Sequence, residues 1–174
     1  MTTFCPPDNA TMAPPRSPWG AVSDVGDWGP HAPDYVTRQD LLSYAQRQIV
    51  RLMNLSRDWD DDGGLPVAAV PAQLAMAILT GLVVTDNLAT PQISPQGHGG
   101  VYMEWLVSGN HLSVSSSEDG RLVMWGIRVD GSEVFSFDSA EDRVEPEVFA
   151  LVMKQAREFL REISLGVRNR ISIW

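Results

Sequence analysis

The feature that most constrains this chain is a change of hydrophobic period at Gly100. Upstream, apolar residues recur every three or four positions; downstream, they recur every second one. A period near 3.6 specifies helices with one buried stripe, and a period of two specifies half-buried strands. Leu41, Ala45, Ile49, Leu52 and Leu55 predict a helix from about 39 to 57, opened by a Thr37/Asp40 capping pair. Leu74, Ala75, Ile78, Leu79, Leu82 and Val83 predict a second from about 71 to 84, apolar over most of its surface and therefore the more buried.

After Gly100, Val101, Met103, Trp105 and Val107 alternate with Tyr102, Glu104, Leu106 and Ser108. Gly109-Asn110 reads as a tight turn. Leu112 and Val114 follow, then a turn at 118–120. Val123, Trp125, Ile127 and Val129 make a third strand that ends at Asp130-Gly131, and Phe135 with Phe137 a fourth. A final helix is expected from Glu145-Pro146 to about Leu165, stopped by Gly166, with a short edge strand over 170–174. The expectation is α+β: two N-terminal helices, a four-stranded antiparallel meander, and a C-terminal helix packed on one sheet face.

Residues 1–38 stand apart as a Pro-rich N-terminal arm, with seven of the chain's twelve prolines and no apolar period; residues 39–174 form the single α+β domain. Trp19 and Trp28 in the arm lack a predicted core face, which suits them to anchoring a contact. Pro15-Arg16-Ser17-Pro18 has the spacing of an extended polyproline ligand. No run of ~18 apolar residues is present to cross a membrane. One cysteine, Cys5, forms no internal disulfide and fits a reducing, cytoplasmic setting.

Of the formal net charge of −9, residues 36–57 carry +3 and residues 148–174 carry +3, leaving −15 elsewhere. The acids concentrate at 58–62 and 130–147. Such a balance argues against phosphate-directed nucleic-acid binding and fits a basic protein partner. The expected partner-binding residues are Trp19, Trp28, Asp58, Asp60, Asp61, Asp62, Glu133, Asp138, Glu141 and Asp142.

Asp58, Asp60, Asp62 and Gly63 match the first, third, fifth and sixth positions of an EF-hand loop, where alternate carboxylates converge on calcium. The twelfth position is Ala69 instead of a bidentate glutamate, so an acidic solvated turn is the simpler reading. His31, His98 and His111 make no metal-ligand spacing, and Ser113, Ser115, Ser116 and Ser117 lack a nucleophile-elbow sequence. No catalytic residue and no cofactor is expected. An enzyme reading would have to assemble Asp58, Asp60, Asp62, Glu104 and His98.

Trp59-Asp60-x-x-Gly63-x-x-Pro66, then Pro91-x-Ile93-x-Pro95 and Gly99-Gly100-Val101-x-x-Glu104-Trp105, resemble a group of short, largely uncharacterised bacterial and phage proteins. That group carries a W-D-G-x-G-A-x-P motif and a later G-x-x-x-E-W strand; here Asp61, Asp62 and Gly64 depart from it. The resemblance covers residues 57–130. It implies an α+β domain, often encoded on mobile elements or near toxin-like genes, with no established catalytic residues. Together these features lead to the expectation of a non-enzymatic binding protein of inhibitor, antitoxin or immunity type that masks a basic partner and could pair with itself. A metal-dependent enzyme and a secretion-chaperone-like carrier are the alternatives.

Overall fold

A computed structural model describes residues 36–140 and 145–171. The chain divides into residues 1–31 and 32–174, and every described residue belongs to the second unit. Trp19, Trp28, Glu141, Asp142 and residues 172–174 lie outside the described residues.

Helix α1 spans Arg38–Met53 and α2 Ala69–Leu82. Five strands follow: β1 Gln92–Pro95, β2 Val101–Val107, β3 Asn110–Ser116, β4 Leu122–Ile127 and β5 Glu133–Asp138; α3 spans Pro146–Ile171. The class is α+β. The sheet is antiparallel throughout in the order β1-β2-β3-β4-β5, so the meander has five strands and not four. The additional strand is β1, four residues long and closed by Pro95. A proline lacks the amide a central strand needs, and β1 is an edge strand, where that loss is tolerated.

Thr37 caps α1 as its sequence predicts, its hydroxyl accepting from the Asp40 amide. The helix ends at Met53, short of Arg57, with Asn54 as its C-cap. Gly166 does not stop α3, which runs on to Ile171, so residues 170 and 171 of the expected edge strand are helical. A glycine inside a helix costs only about 1 kcal/mol relative to alanine. The β2–β3 turn is centred one residue earlier than predicted: Ser108 (φ 51°) and Gly109 (φ 81°) take the two left-handed positions.

All three helices pack on one side of the sheet. Their buried faces meet Val101, Met103, Trp105 and Val107 of β2, Leu112 and Val114 of β3, and Phe135 and Phe137 of β5. In β4 the core residues are Leu122 and Met124, paired with Ser116 and Val114, whereas Val123, Trp125 and Ile127 face the other way. That reverses the expected phase of β4. Both of its faces are apolar, so alternation alone could not choose between them, and the pairing with β3 and β5 does. Gly126 falls on the core side, where a Cβ would lie 3.0 Å from two ring atoms of Phe135; its missing side chain is the room that ring occupies.

Trp105 ties the layers together. It is buried, and its indole Nε1 donates to the Ala89 carbonyl at 2.9 Å. The Ala89 amide in turn donates to the Ser164 hydroxyl on α3 at 3.0 Å.

Candidate functional site: the open sheet face and its acidic end

One side of the sheet carries the helices; the other carries no described element. Alternation places Tyr102, Glu104 and Leu106 of β2 on this open side, with His111, Ser113 and Ser115 of β3 and Val123, Trp125 and Ile127 of β4. Register brings Glu104 opposite Ser113, and Ser113 opposite Trp125. A polar and aromatic cluster therefore sits at the centre of the face.

The His111 Nε2 lies 2.8 Å from Glu104 Oε1 and 3.4 Å from the Tyr102 hydroxyl. The Trp125 ring meets His111 edge-on, with centroids 5.7 Å apart. Its indole N–H donates to Glu133 Oε2 at 3.3 Å, which sets that carboxylate beside the ring. Burial, and then the Glu104 carboxylate, push the Tyr102 phenol above its ordinary value, while a hydrogen bond with Ser113 pulls the other way. Leu106 stands out of this face, 70% exposed. The combination is acidic and aromatic, the pairing that receives a lysine or arginine by charge and by ring contact.

At one end of the sheet, three separate segments converge. These are the β1–β2 connection at 96–100, the β3–β4 turn at 117–121, and the end of β5 at Asp138. The α1–α2 loop docks on the first of them: Leu65 donates to Gly97 O at 2.8 Å and Ala68 to Gly99 O at 2.9 Å. Both motif stretches quoted above therefore meet in space. Asp58, Asp60, Asp61 and Asp62 share this end with Glu118, Asp119 and Asp138, spread across a sheet roughly 20 Å wide. Glu133 does not join them; it lies towards the opposite end, on β5 beside Trp125.

The acidic loop is built differently from a cation site. Asp58 Oδ1 accepts from the Gly63 amide at 2.7 Å, and Asp60 Oδ1 from the amides of Asp62 and Gly64 at 3.1 and 2.7 Å. Trp59 donates from its indole to Leu65 O at 3.1 Å. Carboxylates turned onto the backbone of their own loop stabilise a tight turn with Asp58 and Asp61 at positive φ. Among the described residues, no group of three histidine, cysteine or carboxylate side chains is placed to hold a metal ion. Glu104 does not join these aspartates, since it is held by His111 on the open face, whereas His98 lies on the 96–100 connection and bridges to Leu65 of the loop. Asp61, Asp62 and Glu118 are exposed and make no side-chain hydrogen bond or ion pair among the described residues, so they remain available to a partner.

No family model, curated protein or solved structure matches the chain. What the site does must follow from its own geometry.

Arg121 grips Asp138 through both carboxylate oxygens, with Nε 2.8 Å from Oδ1. That pairing, helped by the Ala140 amide, holds the Asp138 carboxyl down at about 2. A depressed acid stabilises the fold fully above the ordinary carboxylate value of about 3.9 and loses that contribution as pH falls towards 2. Thermal melts of wild type and Asp138→Asn across an acid series should therefore differ by a constant amount above pH ~4, and converge between about 4 and 2. A difference that persisted at the acid end would assign the effect to something other than this pair.

The cluster of Tyr102, Glu104 and His111 was missed in the sequence as a unit. With the turn centred on Ser108-Gly109, Glu104 stands opposite Ser113 and Leu106 opposite His111, which leaves Glu104 diagonal to His111 and within reach of it. Centring it on Gly109-Asn110 slides the register by two residues, which keeps the faces but separates the partners.

Proposed function

We propose that this chain is a non-enzymatic binding protein that masks a basic protein partner, in the manner of an inhibitor, antitoxin or immunity protein. The observation that carries the reading is the side of the sheet that no described element covers, on which Glu104 and Glu133 stand among Tyr102 and Trp125, with the exposed Asp61, Asp62 and Glu118 at its end. Five strands at ~4.8 Å spacing and about six residues long give a face of roughly 500 Å². The adjoining acidic end extends it towards the ~800 Å² that each partner contributes to a standard interface. Exposed acids would steer a basic partner to the surface, and the half-buried aromatics would hold it there. The resemblance to phage and mobile-element proteins is compatible with this role.

The enzyme reading is the weaker one, because Asp58 and Asp60 are turned onto backbone amides of their own loop and Glu104, beside His111 on the open face, does not meet them. The reading is tested by affinity capture from a native host lysate with the full chain, at low salt. A basic protein should be retained and should elute as salt shortens the range of surface charges. Glu104→Lys combined with Trp125→Ala should keep the circular dichroism spectrum of the wild type and lose that protein. Retention of nothing basic by the wild type, or equal capture by the folded variant, would overturn the proposal.

A further inference from the structure

Behind the sheet, on the helical layer, a second surface has the opposite character. Leu82, Val84 and Leu88 floor a cleft of about 240 Å³ whose other wall is α3, contributing Lys154, Arg157 and Arg161. It continues past Arg161 to Leu165. Along α3 the exposed residues Leu151, Lys154, Glu158, Arg161 and Leu165 follow one another at steps of three, four, three and four. That is the spacing of a helix seam, extending over ~21 Å, with a leucine at each end and cations in the middle.

Leucines in such a seam ordinarily face a neighbour, yet Leu151 is 56% and Leu165 42% exposed, as is Val84 across the cleft at 53%. The carboxylates bordering the cleft are already engaged. Asp86 accepts from the Arg38 amide at 2.7 Å, and Glu158 lies 4.0 Å from Lys154. Arg161 has no ion pair among the described residues, and Arg157 donates from its Nε within α3, to Met153 O. On a chain of net charge −9, this is a cationic strip.

We infer that the cleft between residues 82–88 and α3 is a docking site for an acidic amphipathic helix of a partner protein. Charge complementarity selects the acid, and the two terminal leucines select apolar anchors at helical spacing. The site faces away from the acidic sheet surface, so the chain would carry two contacts of opposite sign. This inference does not depend on the basic partner proposed for the sheet.

The test is fluorescence anisotropy with the full chain and a fluorescein-labelled glutamate-rich peptide bearing leucines at three- and four-residue steps. Saturable binding at low salt, weakened by added salt, is expected, with a serine-for-leucine version of the peptide binding more weakly. Lys154→Glu with Arg161→Glu, both exposed positions, should lower the affinity about tenfold or more while the circular dichroism spectrum is unchanged. Leu151→Ser with Val84→Ser gives a second folded variant that should also bind more weakly. Absence of saturable binding by the wild type, or undiminished binding by both folded variants, would sink the inference. So would sedimentation showing that the wild type dimerises through this surface and that the charge reversal dissolves the dimer.

Discussion

Replacing Trp105 by alanine should destabilise the domain by about 3–5 kcal/mol, the range for a fully buried aromatic lost from a core. Two effects add. The ring is 1% exposed in the helix–sheet interface, so a cavity opens where β2 meets α2 and α3. The Ala89 carbonyl, which accepts from the indole at 2.9 Å, loses its partner, and an unpaired buried acceptor accounts for ~1–3 kcal/mol of that loss unless the segment relaxes. For a chain of this size the melting temperature should fall by roughly 10–15 °C. In urea the midpoint should fall with the slope unchanged, because the surface exposed on unfolding is nearly the same. Trp105→Phe keeps most of the apolar area and loses the hydrogen bond, so about 1–2 kcal/mol is expected. If alanine cost less than ~1 kcal/mol, the tie between β2, the 83–91 segment and α3 would not be a main support of the fold.

Gly100→Ala should be the most damaging small substitution near the candidate site. A Cβ there would stand 2.6 Å from the Ser116 carbonyl oxygen, which is backbone on the neighbouring strand and cannot swing aside. It would also meet the Gln96 side chain, whose Nε2 donates to Ser115 and whose Oε1 is buried without a partner among the described residues. Relief requires the 96–100 connection to move, and that connection receives the Leu65 and Ala68 amides from the acidic loop. We expect a loss of about 2–3 kcal/mol, the upper part of the range for overpacking. The damage should be uneven: amide exchange should rise in residues 58–68 more than in the α3 core. Uniform exchange across the domain would show that the loop is not held through Gly100.

The same residue illustrates what was legible in the motifs. Trp59, Asp60, Gly63 and Pro66, with Gly99 and Gly100, stand out in the sequence as a pattern, and the structure gives most of them backbone duties. Asp60 holds two amides, Gly63 takes φ 84°, and Gly100 makes room for a neighbouring strand. Spacing alone matched Asp58, Asp60 and Asp62 to a calcium loop because an aspartate turned on its own backbone and one turned on a cation share the same local sequence. Glu104 and Trp105 are adjacent in sequence and separated by the whole thickness of the sheet, one in the open cluster and the other in the core.

By itself the sequence determined the α+β class, three helices, four of the five antiparallel strands and the helix cap at Thr37. Each of these depends on the period and turn chemistry of a few consecutive residues. Only the tertiary structure decided the phase of β4, the strand at 92–95, and the parting of Glu133 from Asp138. It also decided which side of the sheet the helices cover. These depend on which strand lies alongside and which face the helices cover. β4 is apolar on both sides, so its orientation is settled by the neighbours it pairs with, Val114 and Phe137 across from Met124. Hydrophobic period is a local property; register and the choice of buried face belong to the assembled sheet.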